Sequence, residues 1–356
     1  MYQTRRVTLQ DVADRAGVSL TTASRVVNEG SRRVGPRLAE RVNQAVAELG
    51  YTANLQARAV ATGQSTMVGV VVHDISDPYF SSIAAGLIEV ADARGLLVCM
   101  SSTAAAEAAE REYVALMRAQ RARAVILIGS RSDDAAARDA LRAEIAAFTG
   151  SGARAVAVGQ DLLGVDTVLP ENAAGAEALA RAMVALGHRR FGVLAGPRGL
   201  LTARDRLDGF RAGLAAWGVP PGAARVVHGP FTRDGGYEAM SALLAAGEPL
   251  PDCVFAVTDV MAMGALARLR PGGLAVPADI ALAGFDDILT LRDVYPPLTT
   301  VRLPLKRMGQ MAAELILSEP PQETGPESAP APQPRVIPVP GEVILRESTL
   351  PHPPAR

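Results

Sequence analysis

The stretch Thr8–Asn28, TLQDVADRAGVSLTTASRVVN, predicts two short helices joined by a tight turn. Thr8 suits the N-cap of the first helix, because its hydroxyl can accept a hydrogen bond from the opening turn and Asp11 stands at the capping-box position. Gly17 permits the left-handed backbone conformation that ends a helix, and Ser19 can cap the second helix. The stretch therefore predicts a compact two-helix unit.

The second of these helices has an apolar face and a polar face. Its apolar face can pack against Val12, Ala13 and Ala16 of the first helix. Its outward face carries Leu20, Thr21, Thr22, Ser24, Arg25 and Asn28. Short hydroxyl and amide side chains with one arginine suit contact with phosphates and base edges, so the helix is a candidate for DNA binding. The alternative is a two-helix packing unit without a ligand.

Charge is distributed unevenly along the 356 residues. Residues 1–63 hold nine arginines and five acidic residues, a net of +4 (9 − 5), and since the whole chain carries −1, the remainder carries −5. A basic head on an acidic body is typical of a nucleic-acid-binding head. Arginine elsewhere is weaker evidence, because Lys306 is the only lysine and arginine usage also reflects genome composition.

Two further segments complete the head. Pro36 suits the first turn of a third helix that runs to about Leu49 and closes a three-helix core, which gives an all-α DNA-binding domain at residues 1–52. Residues 53–65 are too short and too poor in packing faces to form a stable helix alone. They are either a linker or a segment that folds only against a partner.

Beyond the head, apolar strand-like runs alternate with helix-like stretches. Repeated βα units predict parallel sheets, here in two similar α/β lobes with a cleft between them, and ligands of such folds lie beyond the carboxyl ends of the strands. We expect this bilobed domain at 66–350, with a first lobe at about 66–161 and 289–340 and a second at about 162–288 and 341–350.

Other segments and motifs limit the possible functions. Residues 318–335 are rich in proline and predict a flexible loop. The sequence has no phosphate loop, dinucleotide fingerprint, nucleophile elbow or zinc-protease motif, and its four histidines and two cysteines lack metal-ligand spacing. We therefore expect no catalysis, cofactor or metal. No signal-peptide core and no run of about 18 apolar residues is present, which predicts a cytoplasmic protein with no membrane partner.

Five stretches together resemble the LacI/GalR family of bacterial transcriptional regulators. They are VTLQDVADRAGVSLTTASRVVN at 7–28, GVVVHDISDPYF at 69–80, RDRLDGF at 204–210, IALAGFDD at 280–287 and PPLTTVR at 296–302. The resemblance implies a helix-turn-helix head, a hinge helix at 53–65 and a periplasmic-binding-protein-like effector domain that forms a homodimer. It implies a regulator, in most cases a repressor, whose binding to a pseudo-palindromic operator in double-stranded DNA responds to a sugar or sugar-like effector.

The resemblance also assigns roles within the head. Leu20 and Thr21 would face bases in the major groove, and Arg25 would reach a guanine edge. Phosphate contacts would come from Ser19, Thr22, Ser24 and Asn28. The DNA-binding set is completed by Thr8 at the first cap and by Asn54, Arg58 and Val60 in the hinge.

In the effector domain, the resemblance implies ligand-facing positions in both lobes. Those of the first lobe are Tyr79 and Phe80, and those of the second are Thr202, Arg206, Phe231, Thr258, Asp259 and Asp286. Asp161, at the boundary between the lobes, is a further candidate. Aromatic faces would stack on a ring, while Arg206 and Asp286 would bind hydroxyl or carboxylate groups. For each aromatic, ordinary core packing is the alternative.

Two departures from the family pattern bear on function. Thr258–Asp259 replaces the usual Asn-Asp pair and loses an amide, so a relative's ligand does not transfer directly to this chain. In the hinge, Val60 replaces the usual leucine wedge and Ala53 the usual proline.

A solute-binding protein of the same bilobed fold, without a DNA-binding role, is the main alternative. Such a protein would need an export signal and would lack the basic head, and this sequence has the reverse.

We predict that Val60→Leu tightens operator binding. The wedge intercalates at the operator centre, and the extra methylene of leucine is worth about 0.8 kcal/mol of burial. The measurement is an operator titration at fixed salt concentration. Unchanged or weaker affinity would contradict the assignment of Val60 as a shortened wedge.

Overall fold

The structure, a computed structural model, describes residues 7–27, 34–52, 65–247, 249–318 and 333–350. The chain divides into two compact units between Thr66 and Met67. Asn28, the hinge residues Asn54, Arg58 and Val60, and most of the proline-rich loop lie outside the described residues.

The described head contains helices α1 (Leu9–Ala16), α2 (Leu20–Val27) and α3 (Pro36–Leu49). The predicted capping box is present, because the Asp11 amide donates to Thr8 Oγ1 (3.3 Å) and the Thr8 amide donates to Asp11 Oδ2 (2.8 Å). Gly17 ends α1 with φ at +60°, in the left-handed region. The local signals in the sequence therefore set the limits of α1.

The head has a small core that arginines close from outside. Its buried residues are Val12, Ala13, Ala16, Ala23, Val42 and Ala45. Arg41 on α3 donates to the carbonyl oxygen of Ala16 (2.5 Å), and Arg15 on α1 forms an ion pair with Glu48 on α3 (2.5 Å). Two of the arginines that make the head basic thus hold α1 against α3.

The second unit alternates strands and helices. Its strands are β1 (Met67–Val72), β2 (Leu97–Ser102), β3 (Ala124–Ile128), β4 (Arg154–Val158), β5 (Asp166–Pro170), β6 (Phe191–Ala195), β7 (Ala224–His228), β8 (Cys253–Ala256), β9 (Ala281–Ala283), β10 (Thr300–Arg302), β11 (Val336–Val339) and β12 (Glu342–Ile344). Its helices are α4 (Pro78–Asp92), α5 (Glu107–Ala119), α6 (Ala135–Thr149), α7 (Asn172–Ala185), α8 (Leu201–Ala216), α9 (Arg233–Ala245), α10 (Asp259–Leu269) and α11 (Leu305–Leu317).

The first lobe is built on a parallel sheet with the strand order β11-β5-β4-β3-β1-β2. β5 pairs with β4, with Ala157 opposite Thr167. The predicted boundary at 161/162 was therefore wrong, because the first sheet continues to Pro170 before the chain leaves it. The pairing of the five-residue strand β5 with β4 sets the boundary, and this strand was not predicted from the sequence.

The second lobe contains a parallel sheet with the order β7-β6-β8-β9 and an antiparallel pair, β10 with β12. The Gly284 and Asp286 amides donate to the carbonyl oxygens of Thr299 (2.8 Å) and Val301 (2.8 Å). The predicted return to the first lobe at residue 289 was consequently too early, since the chain stays with the second sheet through Arg302. The chain crosses between the lobes at 170–172, 302–305 and 339–342.

Helices α4 and α11 pack closely through two glycines in the first lobe. Gly86 on α4 lies against the carbonyl oxygen of Lys306, and Gly309 on α11 lies against the carbonyl oxygen of Ile83. An added Cβ at either position would overlap the backbone of the partner helix. The close helix crossing therefore requires glycine on both sides.

We predict that Gly86→Ala destabilises the effector unit by about 1–3 kcal/mol, because overpacking a rigid backbone contact forces the helices apart. Gly222→Ala is the matched control, since a Cβ at Gly222 has nothing within 4 Å. Urea unfolding followed by circular dichroism measures both variants. Equal stability of the two variants would contradict the proposed backbone contact.

Candidate functional site

Of the residues predicted on the outward face of α2, Leu20, Thr21 and Arg25 are exposed, and Thr22 and Ser24 are half-buried. Leu20 is 46% exposed despite its apolar side chain, and Thr21 and Arg25 are exposed beside it. The Thr22 amide donates to Ser19 Oγ (3.2 Å), and this bond caps the start of α2. The helix thus presents an apolar residue, a hydroxyl and a guanidinium that the head's own core does not use.

A cleft lies between the two lobes of the effector unit. Both lobes contribute to its wall. Most of the predicted ligand-facing residues line it: Tyr79, Phe80, Thr202, Arg206, Phe231, Thr258 and Asp286. The structure therefore brings residues that are far apart in the chain to the wall of one cleft.

Two predicted residues do not line this cleft. Asp161 is exposed on the surface. Asp259 is fully buried beneath the cleft, where its carboxylate accepts from Thr300 Oγ1 (2.7 Å) and from the Ile288 amide (2.9 Å). Asp259 therefore joins α10 to the loop after β9 and to β10. The hydroxyl of neighbouring Thr258, although at the cleft wall, caps α10 by accepting from the Met261 amide (3.3 Å).

Four polar residues of the cleft were not predicted from the sequence: His73, Asp77, Ser130 and Asn172. His73 directly follows β1, and Ser130 follows β3 by two residues. Their position beyond the carboxyl ends of parallel strands is the signal that could have identified them. Asp77 caps α4 by accepting from the Tyr79 amide (2.9 Å), so its sequence signature was that of a cap.

A buried ion pair forms one wall of the cleft. Arg206 is 2% exposed, and its Nη2 and Nη1 donate to Asp286 Oδ1 (2.7 Å) and Oδ2 (3.2 Å). Arg206 also donates to Asn172 Oδ1 (2.9 Å) and to the Val257 carbonyl oxygen (2.7 Å). The Phe285 ring covers the guanidinium at 3.9 Å. The protein itself therefore satisfies most of the hydrogen-bonding capacity of Arg206.

Asp286 is held in an unfavourable backbone conformation. Its φ is +118°, a region that residues with a side chain rarely adopt, and strain of this kind persists only where surrounding contacts impose it. Burial raises the pKa of Asp286 to about 6, although the Arg206 guanidinium opposes the rise. The carboxylate is therefore ionised and paired at neutral pH.

Aromatic rings form the apolar part of the cleft. Tyr79 and Phe80 meet edge to face with ring centroids 5.0 Å apart, and the His73 ring lies 5.5 Å from that of Phe80. From the second lobe, Phe231 packs directly over Gly196, where any side chain would overlap its ring. The cleft thus combines aromatic surface with a small number of polar groups, as small-molecule sites do.

A set of hydrogen bonds ties the lobes together along one side of the cleft. The Asp133 amide donates to the Gly199 carbonyl oxygen (2.9 Å), and the Leu201 amide donates to that of Arg131 (2.9 Å). The Thr202 amide donates to Ser130 Oγ (3.0 Å). The loop after β3 and the start of α8 are therefore joined by backbone contacts that depend on the relative position of the lobes.

A buried charge network lies behind this junction. Arg131 binds Glu110 through both guanidinium nitrogens, one of them at 2.9 Å, and His73 Nε2 lies 3.4 Å from Glu110 Oε1. Burial acts to raise the pKa of Glu110, but the hydrogen bond from His73 and the charge of Arg131 lower it to about 2. His73 in the cleft and Arg131 at the lobe junction thus share one carboxylate.

Comparison with known proteins covers both units. A model of bacterial regulatory proteins of the lacI family matches residues 8–54, and a periplasmic binding protein-like domain model matches residues 180–349. The transcriptional regulator CelR of Thermobifida fusca is 33% identical over 322 residues, which cover 89% of this chain and 93% of CelR. GalR of Escherichia coli K12 is 33% identical over 314 residues, covering 87% and 88%.

The chain belongs to the LacI/GalR family. Its structure resembles that of the lac repressor dimer bound to operator and the anti-inducer ONPF, with a TM-score of 0.82 at 29% identity, over 98% of this chain and 100% of that one. It also resembles a CelR–cellobiose complex, with a TM-score of 0.67 at 29% identity, over 96% and 100%. This LacI/GalR member is a DNA-binding transcriptional regulator with a helix-turn-helix head and a bilobed effector domain.

Within the described ranges, no group of three or more histidine, cysteine, aspartate or glutamate side chains is arranged to hold a metal ion. In the same part of the chain, no helix combines the length and the apolar character needed to cross a bilayer.

We predict that Asp259 makes stability depend on pH. Burial, together with the nearby charge of Asp286, raises its pKa from 3.8 to about 8 in the folded protein. The folded state therefore holds this proton more tightly than the unfolded state, and the resulting stabilisation, complete below about pH 4, is lost as the pH rises to about 8.

Asp259→Asn removes this titration, so its free energy of unfolding should improve relative to that of the natural protein between pH 5 and pH 8. Urea unfolding at a series of pH values tests this, with Asp161→Asn on the surface as control. Parallel pH profiles of natural protein and Asp259→Asn would contradict the buried, protonated carboxyl.

Proposed function

We propose that this protein binds a pseudo-palindromic operator as a homodimer, in most conditions as a repressor, and that an uncharged sugar or sugar-like molecule in the interlobe cleft controls the binding. The proposal rests on one observation: the same chain contains an exposed polar face on α2 and a cleft lined by aromatic rings and paired charges. It would act in the cytoplasm, where its DNA partner is, and without catalysing a reaction.

The proposal for DNA rests on α2. Two recognition helices of a dimer can enter successive major grooves and read two half-sites. Leu20, Thr21 and Arg25 are exposed on α2 and would meet base edges, while Ser19, Thr22 and Ser24 would contact phosphates. Thr8 and Ser19 also cap α1 and α2, so both residues would contribute to DNA binding by stabilising these helices as well.

The uncharged nature of the effector follows from the charges of the cleft. Arg206 is paired with Asp286, so this pair offers a ligand no uncompensated positive charge. The remaining carboxylate is that of Asp77, whose pKa burial raises, and the His73 ring faces Glu110. A phosphorylated or acidic sugar would have to bury its charge without a free cation, which is costly. Hydroxyl groups, in contrast, can both donate to and accept from such side chains.

Solved structures show CelR in complex with cellobiose and the lac repressor bound to ONPG. This similarity supports a sugar as ligand class but does not name the molecule. Control of DNA binding requires that the ligand binds one arrangement of the lobes better than another. The hydrogen bonds between the loop after β3 and α8 are contacts that such a rearrangement would break or make.

The DNA part of the proposal can be tested by selecting operators from random double-stranded DNA. We expect repeated half-sites, and we expect Arg25→Ala to lose roughly 1–3 kcal/mol of discrimination at one base pair of each half-site. Arg37→Ala, an exposed arginine on α3, is the control and should leave the sequence preference unchanged. Identical preferences of Arg25→Ala and the natural protein would contradict the assigned role.

The effector part can be tested by thermal shift with neutral sugars, their 6-phosphates, the corresponding sugar acids and nucleobases. We expect a neutral sugar to stabilise the protein, and we expect this stabilisation to depend on the cleft residues. Asp286→Asn and Tyr79→Phe, both close in shape to the natural residues, should weaken binding of that sugar and its effect on operator binding. If both variants bind the sugar normally, or if no neutral sugar binds, the cleft assignment is wrong.

A further inference from the structure

A second pocket lies in the second lobe, outside the interlobe cleft. It is open to solvent and is formed at the ends of β6 and β7 and along the first half of α8. Its lining includes Arg198, Arg204 and Arg211, together with Asp208 and His228, and we call it the arginine pocket. None of the functions described above uses these side chains.

The pocket has an excess of positive charge. Arg211 makes only a loose ion pair with Asp208, at 3.9 Å. Over the described ranges, Arg198 and Arg204 form no ion pair with an acidic residue, although many other arginines of the effector unit do. In a chain whose net charge outside the head is negative, this local excess is unusual. Concave surfaces of one charge sign raise the local concentration of oppositely charged ligands.

The spacing along α8 explains how the arginines share one surface. Arg204, Asp208 and Arg211 are four and three residues apart, so they lie on the same face of the helix. Thr202 and Arg206 lie on another face and line the interlobe cleft. One helix therefore separates the cleft from the pocket. The residue after Arg198, Gly199, contacts the first lobe, because its carbonyl oxygen accepts a hydrogen bond from the Asp133 amide.

We propose that the arginine pocket binds a small multivalent anion that carries phosphate or carboxylate groups. Guanidinium groups bind both kinds of group through paired hydrogen bonds, and three exposed arginines that line one pocket favour a ligand with more than one negative charge. The anion would differ from the uncharged cleft ligand and would contact the other side of α8.

Isothermal titration calorimetry of the full-length protein tests the proposal. The probes are pyrophosphate, glucose 6-phosphate and citrate, each at the same ionic strength. Glucose is the neutral control for glucose 6-phosphate. We expect saturable binding of at least one anion, and a loss of at least about tenfold in affinity in the double variant Arg198→Gln/Arg204→Gln. Pyrophosphate and citrate distinguish a phosphate site from a carboxylate site.

The matched control is Arg94→Gln/Arg292→Gln, which removes the same charge from exposed positions outside the pocket. It should bind the anion as the natural protein does, and circular dichroism should show that both double variants are folded. The absence of saturable binding by all three anions, or an equal loss in both double variants, would overturn the proposal. A normal affinity in Arg198→Gln/Arg204→Gln would overturn it as well.

Discussion

The ion pair between Arg206 and Asp286 is the interaction on which the effector unit most depends. A buried charge is costly unless it is paired and hydrogen-bonded, and here one guanidinium connects α8 to the loop after β9, to Asn172 at the start of α7 and to the end of β8. Loss of either partner would leave a charge buried without compensation. The same pair forms a wall of the cleft, so the integrity of the second lobe and the chemistry of the site depend on the same contacts.

The buried charge network of Glu110, Arg131 and His73 in the first lobe also connects a residue of the cleft to a contact between the lobes. Glu110 holds Arg131 and lies beside His73, and the backbone of Arg131 accepts from Leu201 across the lobe junction. A ligand that contacts His73 therefore lies next to the group that orients this junction. Contiguous packing of this kind gives a physical route by which a small molecule can favour one lobe arrangement, provided it binds the two arrangements with different affinity.

Several features were predictable from particular residues. Two of them are the capping box of Thr8 and Asp11 and the left-handed conformation of Gly17. Both depend only on residues that are close together in the sequence. The strand at Asp166–Pro170 was missed because it is short, and its identity as a strand depends on pairing with β4. Asp161 and Asp259 were assigned by position in a motif, but exposure of one and burial of the other depend on packing that the motif does not encode.

The sequence by itself determined the alternation of elements, the polar face of α2 and the basic head, because periodicity, capping and charge are local properties of the chain. Five stretches of the sequence carried the resemblance to the family. Only the tertiary structure decided that Arg206 is already satisfied by Asp286, that His73 shares a carboxylate with Arg131, and that α8 separates two pockets of different charge. These facts depend on which distant residues meet when the chain folds. For the same reason, the preference for an uncharged ligand could be inferred only after the partners of Arg206 were known.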